Sequence, residues 1–209
     1  MAAAPEANCG RCGDQPGRRV LQGNGMIAAF IMISLDGFFE GDRPWEIDWH
    51  TVDEEFNEFA ARQLDEFDTL VFGRLTYEGM AKYWPSEDAV RTDPMIAARM
   101  NSASKVLVSR TLNAPEPLWS NTTLVRDARD LRSDKKLLVL GSAVLTTSLL
   151  EEGLLGELRI MVAPVLIASG RSVASPAKHR IALELRSHRE FGNGNVLLVY
   201  RPVRTNMSA

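Results

Sequence analysis

The sequence predicts an α/β fold: a largely parallel sheet covered by helices on both faces and finished by an antiparallel hairpin. Strand-like and helix-like patterns alternate from Met26 onward. The first strand, Met26 to Ile33, is apolar at every position, as expected of a strand buried on both faces. The chain closes on Gly192-Asn193-Gly194-Asn195, whose turn chemistry suits positive φ and joins two strands as antiparallel neighbours. At 209 residues, 45% hydrophobic and 24% charged, the composition is ordinary for a globular protein with a single core.

In order, Met26–Ile33 is the first strand, and 34–45 is a loop mixing Gly, Asp and Pro with aromatics that could form a binding wall. Thr51 and Glu54 have capping-box spacing, and Phe56, Phe59, Ala60, Leu64 and Phe67 recur at helical intervals, predicting a helix from about Val52 to Glu66. Thr69–Phe72 is a second strand, and Gly73 turns it into a helix that stops before Pro85. Asp93-Pro94 opens a third helix, Lys105–Val108 is a third strand, and Thr123–Val125 and Lys136–Leu140 are two more. Ala143–Glu152 is a helix ended by Gly153, and Glu157–Val165 is an apolar strand. Strands from about Ile181 to Phe191 and from Val196 to Arg201 complete eight strands and four main helices. The domain spans 26–203, between an N-terminal tail of 1–25 and a C-terminal tail of 204–209.

A net charge of −3 gives no field that would draw in a polyanion, so a small molecule rather than a nucleic acid is the expected partner. No apolar run is long enough to span a membrane and the N-terminus lacks a signal-like apolar region, which predicts a cytoplasmic protein. Cys9 and Cys12, the only cysteines, sit in the tail; His50, His179 and His188 are scattered, so no metal site is expected.

Three segments share a chemical logic. Gly73-Arg74-Leu75-Thr76, Ser109-Arg110-Thr111 and Gly141-Ser142 each follow an apolar strand, and the first and third open a helix. A helix N-terminus presents unpaired N–H groups, glycine lets a phosphate approach the backbone, and arginine adds a bidentate cation. Together they predict a dinucleotide cradle, and two arginines beside hydroxyls favour NADP over NAD. There is no P-loop, no Gly-x-Ser-x-Gly elbow and no His-Glu-x-x-His. Asp36, just after the first strand, is either a group that bonds a polar ring and helps proton transfer or a turn-forming Asp. Trp45, Trp49 and Glu54 flank it as candidate substrate-pocket residues, or as packing and capping groups.

Ser34-Leu35-Asp36-Gly37, Gly73-Arg74-Leu75-Thr76-Tyr77-Glu78, Ser109-Arg110-Thr111-Leu112 and Gly141-Ser142-x-x-Leu145 resemble, in that order, the motifs of dihydrofolate-reductase-like proteins allied to the riboflavin-biosynthesis reductase C-terminal domain. The resemblance runs from Met26 to Pro202. It implies a dihydrofolate-reductase-like three-layer α/β/α fold, NADPH as hydride donor and commonly a homodimer. It further implies that Gly73, Arg74 and Thr76 hold cofactor phosphates, Ser109 and Arg110 the 2′-phosphate, and Gly141, Ser142, Ala143 and Val144 the pyrophosphate, with Asp36 facing substrate and nicotinamide. The chain departs from the family pattern at Leu140, where the riboflavin-pathway reductases carry an acid, and at 164–170, where Pro-Val-Leu-Gly-x-Gly becomes Pro164-Val165-Leu166-Ile167-Ala168-Ser169-Gly170. The resulting expectation is an NADPH-dependent reductase acting on a C=N or C=O group of a small planar, pterin-like substrate. The alternatives are a nucleotide-binding protein without turnover and a flavin or antifolate binder.

Overall fold

In the computed structural model, which describes residues 25–112, 119–131, 134–173 and 175–203, the first strand β1 (Met26–Ser34) lies inside an eight-stranded sheet. Cys9, Cys12 and both predicted tails, except Gly25, fall outside the described residues. The other strands of this sheet are β3 (Thr69–Gly73), β4 (Ser104–Val108), β5 (Thr122–Val125), β6 (Lys136–Leu140), β7 (Glu157–Ala163), β9 (Leu183–Glu190) and β10 (Val196–Pro202). Their order is β5-β4-β3-β6-β1-β7-β10-β9, with every neighbour parallel from β5 to β7 and antiparallel pairing at β7–β10 and β10–β9. All six parallel strands therefore end at one edge, and consecutive motifs are brought side by side there.

Both faces are apolar because alternate residues of each inner strand serve different layers. Ala28, Leu70, Phe72 and Leu138 meet α1 (Glu54–Glu66), α2 (Arg74–Tyr83) and α4 (Pro94–Ser102) on one face. Ala29, Val71, Leu137 and Val139 meet α5 (Ala143–Glu151) and a 3₁₀ turn (Ala128–Asp130) on the other. Phe72 and Tyr77 are essentially fully buried, and each such side chain contributes about 1.5–3 kcal/mol through its removal from water. Lys105, at the start of β4, is buried with its ammonium donating to the carbonyls of Asn101, Ala103 and Ser120.

Several boundaries differ from those predicted. α1 begins at Glu54, because Asp53 rather than Thr51 is the N-cap: its carboxylate accepts the Phe56 N–H at 2.9 Å, while the Thr51 carbonyl accepts the Asn195 side chain. β7 ends at Ala163, since Pro164 has no N–H to extend the ladder. A further helix, α3 (Glu87–Thr92), is capped by the Ser86 hydroxyl. Part of the predicted 34–45 loop is strand, β2 (Phe38–Glu40), which pairs with β8 (Arg171–Ser172) in a small separate sheet. β9 is more exposed than a half-buried strand: it is the sheet edge, with Leu183 and Leu185 38% and 50% exposed. Among the described residues, no helix is long and apolar enough to cross a membrane.

Candidate cofactor cradle and substrate cavity

At the carboxyl edge, β3 and β6 are neighbours and both run directly into helices. Gly73 caps α2 and Ser142 caps α5, neither with a side-chain hydrogen bond, so the first N–H groups of both helices have no intrahelical or side-chain acceptor. Gly141 and Ser142 both have positive φ, 60° and 54°, a conformation that costs serine and re-aims the chain so that α5 starts beside Gly73. The approach is close. A Cβ on Gly73 would overlap the Ser142 hydroxyl, and one on Gly141 would stand 3.3 Å from Thr76 Cγ2. Gly73, Thr76, Gly141 and Ser142 thus form one concave patch of backbone. Ala143 is buried and can offer only its N–H, whereas Val144 is 70% exposed on the rim.

The cations stand around this patch. Arg74 is exposed and loosely paired with Glu78, Nε to Oε1 at 3.6 Å. Ser109 and Arg110 follow β4, next to β3; Ser109 is buried, its hydroxyl accepts the Leu112 N–H at 3.2 Å, and Arg110 is exposed. Arg126, which the sequence reading passed over, follows β5 as Ser109 follows β4. Its guanidinium donates to the carbonyls of Ser109 (3.2 Å) and Leu112 and fastens that turn. Its position one residue past a strand was the signal available. Two helix N-termini, a glycine-lined backbone and the exposed guanidinium groups of Arg74 and Arg110 have the chemistry to hold a dinucleotide's phosphates, with Arg126 bracing the turn that carries Arg110.

Farther along the same edge, the segment between β2 and α1 and the loop after β7 border a second feature, a half-open cavity of about 240 Å³ lined by Asp42, Glu46, Asp48, Trp49, Ile167 and Ser169 among others. Trp49 packs against the core formed by Met32, Phe59 and Met161, and its Nε1 donates to the Glu46 carbonyl. Glu46 pairs with Arg43 at 2.8 Å, and Asp42 accepts the Ser169 hydroxyl at 2.8 Å. Trp45 does not line this cavity. Held at φ 65° with its N–H donated to Glu40, it lays its indole on Gly79 of α2. Glu54 stands exposed in the first turn of α1, also away from the cavity lining. His50 stacks edge-on against Trp49, and burial pushes its pKa down to about 4. Its Nε2 is buried without a hydrogen-bond partner.

Asp36 is exposed just after β1 and bonds the loop after β7. One carboxylate oxygen accepts the Ser34 hydroxyl at 2.6 Å and the Ile167 N–H at 3.3 Å, and the other accepts the Ala168 N–H at 2.8 Å. The Ser34 bond, followed by the two amides, outweighs desolvation and holds its pKa below the usual aspartate value. In this setting Asp36 is an ionised acceptor.

Residues 26–197 match the family model for the RibD C-terminal domain, and the chain belongs to that family. It is 28% identical over 176 residues to YyaP, an uncharacterized protein of Bacillus subtilis (strain 168), covering 81% of this chain and 91% of that one. Among solved structures it resembles a putative riboflavin biosynthesis protein from Shewanella sp. PV-4, with TM-score 0.64, 21% identity, and 86% and 99% of the two chains covered. It also resembles a dihydrofolate reductase from Enterococcus faecalis complexed with NADP(H), with TM-score 0.57, 13% identity, and 86% and 97% covered. At such identities these two likenesses establish the fold.

Proposed function

We infer that the protein is an NADPH-dependent reductase of a small, planar, non-phosphorylated heterocycle. The observation that carries this is the convergence of two uncapped helix N-termini, Gly73 and Gly141 at one edge of the sheet, beside Arg74, Arg110 and Arg126. Gly73, Thr76, Gly141 and Ser142, with the N–H groups of Ala143 and Val144, would hold the pyrophosphate. Arg74 would pair with it, and Ser109 and Arg110 would receive the 2′-phosphate. NADPH held there would supply a hydride to a C=N or C=O carbon. The E. faecalis enzyme's NADP(H) complex on the same fold supports that assignment.

The acceptor's place is the cavity beside Asp36. Trp49 offers it a flat apolar surface, and Ile167 adds a second apolar side chain to the lining. Asp42, Glu46 and Asp48, offset by Arg43 alone, disfavour a phosphate and favour ring N–H and amino groups. Leu140, standing where the riboflavin-pathway reductases carry an acid, argues separately for a substrate other than theirs. The proton that balances hydride addition reaches the substrate nitrogen or oxygen from cavity water, because Asp36 stays ionised.

A cytoplasmic homodimer belongs to the same proposal. Leu183 and Leu185 on the edge strand lie beside half-buried Tyr200 and Pro202 of β10 on one apolar strip, with exposed Val203 at its end. Pairing two copies along it would remove both edges from water. Leu185→Lys is expected to shift the purified protein to monomer by sedimentation.

Titration with NADPH and NADH, followed by nicotinamide fluorescence, tests the cofactor assignment. Selective NADPH binding is expected, and binding of neither would end the reductase reading. NADPH binding with no oxidation by any pterin, flavin precursor or quinone would favour a nucleotide-binding role without turnover.

A further inference from the structure

The loop after β7 carries two short turn bonds of its own, Val165 N–H to the Ala163 carbonyl and Ser169 N–H to the Ile167 carbonyl, and is tied to the rest of the molecule by carboxylates. Asp36 takes the N–H groups of Ile167 and Ala168, Asp42 takes the Ser169 hydroxyl, and Glu40 pairs with Arg171 at the loop's exit. Ala168 stands at φ 66°, a conformation that disfavours a residue with a Cβ, inside a tight turn closed by the Ser169 N–H on the Ile167 carbonyl at 2.8 Å, and the Asp36 bonds to Ile167 and Ala168 hold that strained turn from outside. Gly170 passes so close to the Glu40 backbone that a Cβ there would collide with it. Ile167 and Ser169, on either side of the strained Ala168, line the cavity, while Leu166 faces solvent at 68% exposure. The amides gripped by Asp36 therefore belong to a segment that lines the same cavity as Trp49.

We propose that Asp36 is a positioning residue: by fastening the strained Ile167-Ala168-Ser169 segment it sets Ile167 and Ser169 as the specificity-determining wall of the cavity. The placement rests on reading that cavity as the substrate's, but the grip itself does not. Ser34 is the second member of the device, since its hydroxyl orients the carboxylate while its Oγ accepts the Phe38 N–H at 3.0 Å. β1, the β1–β2 turn and the β7–β8 loop are thereby joined through one side chain. Without the grip, Ala168 relaxes from positive φ and the wall moves away from Trp49.

The experiment uses the full chain with Asp36→Ala and Asp36→Asn, the latter isosteric and keeping one acceptor oxygen. Three readouts are compared: amide hydrogen exchange at Ile167 and Ala168, quenching of tryptophan fluorescence by acrylamide, and NADPH affinity. Expected for Asp36→Ala is exchange at both amides faster by about tenfold or more, increased quenching, and NADPH affinity within about twofold of the parent. Asp36→Asn falls between, and Ser34→Ala adds little in the Asp36→Ala background because both act through one carboxylate. A Trp49→Phe background removes the extra quenching, which localises it to the cavity. Unchanged exchange at Ile167 and Ala168 in a folded Asp36→Ala protein would overturn the proposal, as would NADPH affinity falling more than loop protection. If the parent binds no NADPH, the reductase reading fails while the exchange and quenching results still decide the role of Asp36.

Discussion

Where β3 and β6 end, the chain turns straight into helices and leaves main-chain donors facing outward; where β1 and β7 end, the neighbouring loop donors are already taken by Asp36, Asp42 and Glu40. The first region is shaped by backbone, with main-chain donors left open. The second is shaped by side chains that bond one another and the loop donors around a cavity. A site of the first kind recognises a group common to many reactions, and one of the second kind selects among substrates.

Removing the cations of the first region without touching the second gives the largest expected effect. Arg74→Ala with Arg110→Ala should weaken NADPH binding about a hundredfold or more, at roughly 1.5 kcal/mol for each charge-assisted contact, with the unfolding midpoint unchanged. Acid should act on the second region instead. Buried His50 is neutral in the fold, with its pKa pushed down to about 4 from an ordinary 6.5, so its contribution is complete above 6.5 and is lost as pH falls toward 4. Urea unfolding between pH 7 and 4 should show up to about 3 kcal/mol of such loss, and His50→Leu should flatten that part of the profile. Gly73→Ala tests whether the cradle is as close-packed as its backbone suggests: the added methyl meets Ser142, and a stability loss of about 1–3 kcal/mol is expected by thermal melt, together with weaker NADPH binding. The smallest effect is expected from Ser169→Ala, which removes one exposed hydrogen bond to Asp42. It should cost less than about 1 kcal/mol and leave NADPH binding unchanged.

The same division governs what could be read from the sequence. The strand–glycine–helix junctions of the proposed cradle are legible because their parts are local: an apolar strand, a glycine and a helix onset follow one another within a few residues at Phe72-Gly73-Arg74 and Leu140-Gly141-Ser142. The cavity was only partly legible, since its walls come from 41–49 and 167–169, segments far apart in the chain. Trp49 was singled out because aromatics in a loop are conspicuous, while Ile167 and Ser169 register only as a departure from the family's glycine pattern. Trp45 was grouped with Trp49 by proximity, and a positive φ that no sequence pattern announces turned it onto α2 instead. The start of α1 shows the same limit on a smaller scale: Thr51 and Asp53 both stand near the helix end, and Asp53 caps it while the Thr51 carbonyl accepts the Asn195 side chain.

The seat of the Trp45 indole on Gly79 also has an optical consequence. α2 begins at the phosphate cradle, so this indole is anchored to the same short rod that would receive the nucleotide. Its emission overlaps the absorption of a reduced nicotinamide, and energy transfer between them would mark occupancy of the cradle without any added label. Trp45→Phe, which keeps an aromatic ring against Gly79, would remove that signal and identify its source among the chain's 4 tryptophans.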